Sequence, residues 1–158
     1  MRIICVSLAL AIGLLVPLQA AVNNQLKATL GGSTLMAALV SFACGTATLV
    51  LAAVLFREKW PGLAAVAQTP WWQLTGGTMG ALFVFAATLL APRLGFTVMI
   101  ALIVGGQTVT SLAFDHIGFL GIPVRELTTP RIVGALLTVI GVVLVNLGNG
   151  LDGLFGRN

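Results

Sequence analysis

The feature that most constrains this chain is a series of five long apolar stretches that contain no charged residue. A helix crosses a hydrocarbon core about 30 Å thick with about 20 apolar residues, and it satisfies its backbone hydrogen bonds internally. Stretches of this length and character therefore predict transmembrane helices. The predicted spans cover residues 3–22, 34–56, 71–90, 96–114 and 132–147.

The overall composition leaves little of the chain for anything outside the membrane. Of the 158 residues, 58% are hydrophobic and 8% are charged, and the mean hydropathy is +1.08. A soluble globule needs far more polar surface than this. The sequence therefore predicts an all-α membrane protein, in which residues 1–158 form a single transmembrane domain in the lipid bilayer.

Prolines mark the connections between the spans. Residues 91–95 include Pro92 and end on a glycine, which predicts a tight charged turn between the third and fourth spans. Pro130 is placed to open the fifth helix, because the first residues of a helix do not use their N–H groups inside it.

The charged residues predict topology rather than a nucleic-acid partner, although the formal net charge is +4. An odd number of spans places the two termini on opposite sides of the membrane. The excess of basic residues on the N-terminal side is only two, so it leans weakly toward a cytoplasmic N-terminus and leaves dual orientation open. The N-terminal side carries Arg2, Arg57, Lys59, Arg125 and Arg131, and the other side carries Lys27, Arg93 and Arg157.

Two polar side chains in the first span are candidates for a substrate cavity. Gln19 and Asn23 are four residues apart and so share one face of a helix, just after Pro17. Polar groups inside a bilayer generally face protein or a water-filled cavity. The alternative is that both side chains form hydrogen bonds between helices, as such residues often do.

A second set of polar residues forms a stripe along the fourth span. Gln107, Ser111 and Asp115 repeat every four residues, and Gly105 and Gly106 would bring backbone close to them. An amide such as Gln107 both donates and accepts, which suits a neutral or zwitterionic solute. We predict that Gln107 and Ser111 line a substrate cavity, and the alternative is a seam between helices.

Asp115 and His116 are an adjacent carboxylate and imidazole at the end of this span, where they would be placed to load and release protons. The sequence favours a structural role for Asp115, as the partner of Arg93 or Arg125 in setting the following loop. Proton coupling by Asp115 and His116 is the alternative.

The chain carries no motif that indicates a cofactor, a metal site or an enzyme. Cys5 and Cys44 lie in apolar stretches without a CxxC pattern, which is typical of packing residues. Ser111 and His116 are five residues apart and would point to different faces of one helix, which is poor spacing for a nucleophile and its base. Gly76 and Gly80 form a GxxxG pair that would let another helix approach.

Several short motifs in order along the chain resemble the YdcZ-type family of the drug/metabolite transporter superfamily. They are Pro17-Leu18-Gln19 with Asn23, Ser41-Phe42 with Gly45-Thr46, Pro70-Trp71-Trp72 with Gly76-Gly77, Ala91-Pro92-Arg93-Leu94-Gly95, Gly106-Gln107 with Asp115-His116-Ile117-Gly118, and Arg131-Ile132-Val133-Gly134.

This resemblance implies a small-molecule transporter of the bacterial inner membrane that works by alternating access. Larger members of the superfamily have ten helices arranged as two inverted halves of five. A five-helix chain would rebuild that fold by pairing with an inverted copy or with a paralogous five-helix partner. The family therefore implies an antiparallel homodimer or a paralogue pair, with a midplane cavity for which Gln19, Asn23 and Gln107 are the candidates.

One departure from the superfamily bears on the mechanism. Its four-helix multidrug members carry an essential glutamate in the first helix, whereas the first span here contains no acidic residue. Antiport of bulky cations by that glutamate mechanism is therefore not expected. The alternative to transport is a half-subunit or assembly partner that completes an oppositely oriented membrane protein without transporting anything itself.

Overall fold

The computed structural model describes residues 2–151, without the side chains of residues 2, 63 and 149–151. Helix α1 spans Arg2–Thr29, α2 spans Thr34–Leu55, α4 spans Trp71–Leu94, α5 spans Phe96–Ile117 and α6 spans Thr129–Leu151. A short helix α3, Leu63–Ala67, lies between α2 and α4, and a 3₁₀ helix, Phe119–Gly121, follows α5. The five long helices are apolar enough to cross a membrane, and the described residues contain no strand, which confirms the all-α prediction.

The long helices extend past the apolar stretches at several ends. Helix α1 continues through the polar segment that follows the first predicted span and ends at Thr29. Side chains there bond to their own helix, since Asn24 Nδ2 donates to the Ala20 carbonyl at 2.9 Å and Thr29 Oγ1 donates to the Gln25 carbonyl at 3.2 Å. A helix continues as long as its backbone groups are paired, whether or not its side chains are apolar. The last residue of a helix therefore need not be the last residue of its apolar stretch.

The turn predicted over residues 91–95 is confined to its last residue. Helix α4 runs through Pro92 and ends at Leu94, and α5 begins at Phe96. Gly95 breaks the helix with a φ of 79°, a backbone conformation that favours glycine because it has no Cβ. Pro130 lies in the first turn of α6, as predicted.

The chain divides into two compact units, with the boundary after Arg93. In the first unit α1 packs against α2, and most of the buried side chains are alanines. Small side chains let helices approach closely, which matters in lipid because burial there brings no hydrophobic gain. Large apolar residues such as Leu14 and Leu49 are exposed instead, as expected for surfaces that face lipid. The buried alanines of this unit are Ala20, Ala37, Ala38, Ala87 and Ala91.

The glycine pair of α4 contributes to this packing through one of its members. A Cβ added at Gly80 would lie 3.3 Å from Cζ of Phe42, so the ring of α2 sits directly on this glycine. At Gly76 a Cβ would meet nothing within 4 Å. Gly80 therefore admits an aromatic ring of the same unit.

In the second unit α5 packs against α6. A Cβ added at Gly105 would lie only 2.9 Å from Cγ2 of Val142, so a valine of α6 occupies the space that glycine leaves. Beyond α5 the chain turns at Gly118, in the left-handed conformation, and the Phe114 and Phe119 rings stack with their centroids 4.3 Å apart. These contacts return the loop toward the end of α5 and lead it into α6.

Candidate functional site

The polar stripe of α5 lies along a cavity in the second unit. Gln107 and Ser111 both line this cavity, which has a volume of about 530 Å³, together with Thr108 one residue further along α5. The structure therefore brings Gln107 and Ser111 together around one space, and their role in a substrate cavity stays a prediction. Asp115, one turn further on, is not among the lining residues and contacts α6 instead.

Helix α6 supplies the other wall of this cavity. Its contribution comes from one helical face, where Arg131, Gly134, Ala135 and Thr138 are spaced by three or four residues. Gly134 and Ala135 are small and leave space between the polar side chains of Arg131 and Thr138. The close contact of Gly105 with Val142 holds α6 against α5 beyond this opening.

The hydroxyl groups of the cavity are arranged mainly to accept hydrogen bonds. Ser111 Oγ donates to the Gln107 carbonyl at 2.6 Å, Thr108 Oγ1 donates to the Val104 carbonyl at 2.8 Å, and Thr138 Oγ1 donates to the Gly134 carbonyl at 2.9 Å. A hydroxyl that donates to its own helix keeps its lone pairs for another partner. The amide of Gln107 adds both donors and an acceptor.

An ion pair between Asp115 and Arg131 lies at one end of the cavity, which is open along its side. Arg131 Nη2 donates to Asp115 Oδ2, and Arg131 Nη1 donates to the backbone carbonyl of Glu126 at 3.2 Å. The Arg131 side chain is 33% exposed and the Asp115 side chain is 25% exposed, so the pair is partly buried. The pair links the last turn of α5 to the first turn of α6.

This pairing corrects the partner expected for Asp115. The sequence predicts Arg93 or Arg125 as the partner, whereas the Asp115 carboxylate pairs with Arg131. Arg125 does help to set the loop, but through its backbone, since its N–H donates to the Asp115 carbonyl at 2.8 Å. The backbone of Arg125 in the loop therefore contacts the end of α5. The side chain that reaches the Asp115 carboxylate comes from Arg131 in the first turn of α6.

Gln19 and Asn23 share a much smaller cavity in the first unit. Both line a space of about 10 Å³ together with Phe83, Val84 and Ala87 of α4, and Asn23 is only 3% exposed. A cavity of this size holds about one water molecule. Among the described residues, neither side chain forms a hydrogen bond to another helix, so both the substrate-cavity role and the hydrogen-bonding role of Gln19 and Asn23 stay predictions.

His116 lies in the last turn of α5, next to Asp115, and its side chain is exposed. It does not line the large cavity. Within residues 2–151, no group of three or more His, Cys, Asp and Glu side chains is placed to hold a metal ion.

The sequence alone does not reveal the α6 half of this site. It predicts a topology role for Arg131 and no role for Thr138. A signal is present, because the residues at 131, 134, 135 and 138 fall on one helical face and are small or polar. That spacing identifies a face but not the helix that it meets.

An apolar groove in the first unit is the contrasting case. It has a volume of about 390 Å³ and lies between α2 and α4, and among the described residues that line it Thr78 is the polar one. Such a groove suits lipid chains or another apolar surface rather than a polar solute. The α5–α6 cavity is therefore the stronger candidate for a solute site.

Comparison with known proteins gives two matches that cover most of the chain. A protein-family model described as "Putative inner membrane exporter, YdcZ" matches residues 4–144. The protein "Inner membrane protein YdcZ" of Escherichia coli (strain K12) is 31% identical over 142 residues, which cover 88% of this chain and 95% of the relative. No solved structure matches the chain. The family match begins in α1 and ends in α6, so it includes residues from all five long helices.

Proposed function

Because this chain belongs to the YdcZ family of multi-pass inner membrane proteins, we propose that it exports a small polar solute through a path lined by the α5–α6 cavity. The description of the family names export, which supports this direction of transport. The predicted inner membrane location is confirmed by the relative and by the five apolar helices.

The observation that carries this proposal is the depth, along two apolar helices, of polar side chains that line one open cavity. At a rise of about 1.5 Å per residue, Gln107 lies about 15 Å from the end of α5, and Thr138 lies about 14 Å from the start of α6. Both positions are therefore near the middle of a hydrocarbon core about 30 Å thick. Polar groups at this depth are costly in lipid, and their usual reason is a solute path or a relay.

We propose that transport proceeds by alternating access in an antiparallel dimer. An odd number of spans and the small excess of basic residues on one side support dual orientation. Two oppositely oriented copies would supply the inverted halves from which many transporters are built. A paralogous five-helix protein in place of the second copy would serve the same purpose.

The chemistry of the lining residues supports a polar solute. Ser111, Thr108 and Thr138 offer acceptors, and Gln107 offers donors and an acceptor. Gln19 and Asn23 remain proposed cavity residues of the first unit, and proton coupling by Asp115 and His116 remains the alternative to a structural role for Asp115.

We propose no enzymatic activity for this chain. The hydroxyl of Ser111 donates to the backbone carbonyl of Gln107, and no described base lies in the cavity lining to take its proton. His116, the base that the sequence offered, is an exposed residue in the last turn of the helix and lies outside the cavity lining. The Ser111 hydroxyl is therefore assigned to solute contact.

The substitution Gln107→Leu tests the proposal. Leucine has a similar volume but no amide, so the variant should insert and fold normally while losing export. Solutes that accumulate in the medium of overproducing cells would be compared with those of cells carrying the empty vector. We expect the solutes enriched by the wild type to fall to the vector level.

Gln73→Leu is the matched control, because it removes the same amide from the first turn of α4, outside the α5–α6 cavity. It should export like the wild type. Export that persists in Gln107→Leu at equal protein level would contradict the site. Unchanged export profiles in all strains, together with co-purification of a different membrane protein, would favour the assembly-partner alternative.

A further inference from the structure

We infer that Arg131 binds an acidic group of the exported solute, which makes the solute a small organic acid or phosphate. This inference rests on the proposed export function and names the class of solute. It begins from the position of Arg131, whose side chain lines the α5–α6 cavity together with Gln107, Ser111 and Thr138. Among the described residues that line this cavity, Arg131 is the charged one.

The guanidinium of Arg131 is held in place before any solute arrives. One terminal nitrogen donates to Asp115, and the other donates to the Glu126 carbonyl at 3.2 Å. A guanidinium has five N–H donors, so these two bonds leave others for a ligand. A donor group that is already ordered loses little conformational freedom on binding, which favours affinity. Charge-assisted bonds from arginine to carboxylate or phosphate are among the strong hydrogen bonds of proteins.

The charges around Arg131 decide what the cavity attracts. The start of α6 adds positive potential, and the end of α5 adds negative potential. The Asp115 carboxylate faces the guanidinium from α5, but it is not among the residues that line the cavity. A solute in the cavity can therefore reach the Arg131 guanidinium directly. The Asp115 carboxylate competes with the solute for the N–H donors of that guanidinium.

The length of the cavity bears on the rest of the solute, although the cavity is open along its side. Gln107 lies two turns of α5 before Asp115, which is about 12 Å along the helix. A volume of about 530 Å³ over this length suits a small molecule with its acidic group at Arg131. The hydroxyls of Ser111 and Thr138 then accept bonds from the body of the solute, which should carry donors of its own.

The same anionic chemistry occurs in the head groups of phospholipids, so the test must separate a solute from a lipid. Protein purified in detergent would be titrated with two acidic probes, succinate and glycerol 3-phosphate. The uncharged control for succinate is succinamide, and the uncharged control for glycerol 3-phosphate is glycerol. The rise in melting temperature with concentration gives an apparent affinity for each probe. Phosphatidylglycerol added to the detergent forms the lipid arm.

Two variants that break the same ion pair should have opposite effects on binding. Arg131→Gln removes the binding group, so we expect the affinity for an acidic probe to fall by about tenfold or more. Asp115→Asn removes the competing carboxylate, so we expect the affinity to rise. Arg125→Gln is the matched control and should bind like the wild type, because it keeps its backbone bond to Asp115.

A purely structural ion pair would move both variants in the same direction, which would overturn the inference. If Arg131→Gln alone does not fold, its combination with Asp115→Asn removes both charges and should still lose the binding of acidic probes. Three further results would overturn the inference. They are stabilisation by neither succinate nor glycerol 3-phosphate, equal stabilisation by an acidic probe and its uncharged analogue, and stabilisation by phosphatidylglycerol alone. If binding fails in these ways while Gln107→Leu still abolishes export, the acidic solute is wrong and the export path stands.

Discussion

At the scale of single residues, the Asp115–Arg131 pair is the contact that most defines the candidate site. A carboxylate near the end of a helix and a guanidinium near the start of one are each placed against the local helix dipole. Each charge therefore has an unfavourable position by itself, and pairing removes most of that cost. The pair also orients Arg131 toward the cavity that Gln107 and Ser111 line.

Removing the carboxylate should therefore weaken the second unit. We expect Asp115→Asn to lower the free energy of unfolding by about 1–2 kcal/mol, between the values typical of exposed and of buried ion pairs. The melting temperature in detergent without added solute would show this loss. Arg125→Gln should leave the melting temperature nearly unchanged, since its side chain is exposed and its backbone bond remains.

The same variants address proton coupling. Because Asp115 is committed to an ion pair, we expect the dependence of export on pH to survive in both Asp115→Asn and His116→Gln. Export would be measured in cells at pH values from about 5 to 8, where histidine ordinarily titrates. A pH profile that changes in either variant, at unchanged melting temperature, would instead assign that residue to proton coupling.

At the scale of helices, the close approach of α5 and α6 depends on a missing side chain. Val142 occupies the space beside Gly105, so the two helices meet where α5 presents only backbone. The adjacent Gly106 faces open space, where a Cβ would meet nothing within 4 Å. Two neighbouring glycines in the same helix therefore have different roles.

This difference predicts opposite effects for one substitution at two positions. Gly105→Ala would place a Cβ 2.9 Å from a β-branched side chain that cannot easily move, so we expect it to destabilise the fold by about 1–3 kcal/mol. Gly106→Ala should be neutral or slightly stabilising, because alanine is the better helix former. Melting temperatures in detergent would compare them.

A second substitution checks the cause of the Gly105 effect. Val142→Ala removes the methyl groups that the new Cβ would meet, so the combined Gly105→Ala and Val142→Ala variant should recover much of the lost stability. Failure of this recovery would show that Gly105 is needed for its backbone conformation or for another contact. Equal loss at Gly105 and Gly106 would contradict the packing of α5 on α6 described above.

At the scale of the whole molecule, five spans place the two ends of the chain on opposite sides of the membrane. The proposed antiparallel dimer requires that this chain insert in both orientations. The experiment is to replace Cys5 and Cys44 by alanine, introduce one cysteine at position 158, and label intact cells with a reagent that does not cross the inner membrane. We expect partial labelling from outside and completion only after permeabilisation.

A cysteine at Gly62, in the connection between α2 and α4, is the reciprocal control, because an even number of spans separates it from the N-terminus. It should also be labelled in part from outside if both orientations occur. Complete labelling of one position and none of the other would show a fixed orientation. The dimer would then need a paralogous partner of opposite orientation.

The sequence by itself determined the number and approximate position of the membrane-spanning helices, because the thickness and apolar interior of the bilayer require a certain length without charge. It also placed Gln107 and Ser111 on one face, because that spacing follows from the period of a helix. The tertiary structure decided that Arg131, rather than Arg93 or Arg125, pairs with Asp115, and that Thr138 completes the cavity. Local periodicity identifies the faces of each helix, whereas the choice of facing helices depends on close contacts between distant residues, such as that of Gly105 with Val142.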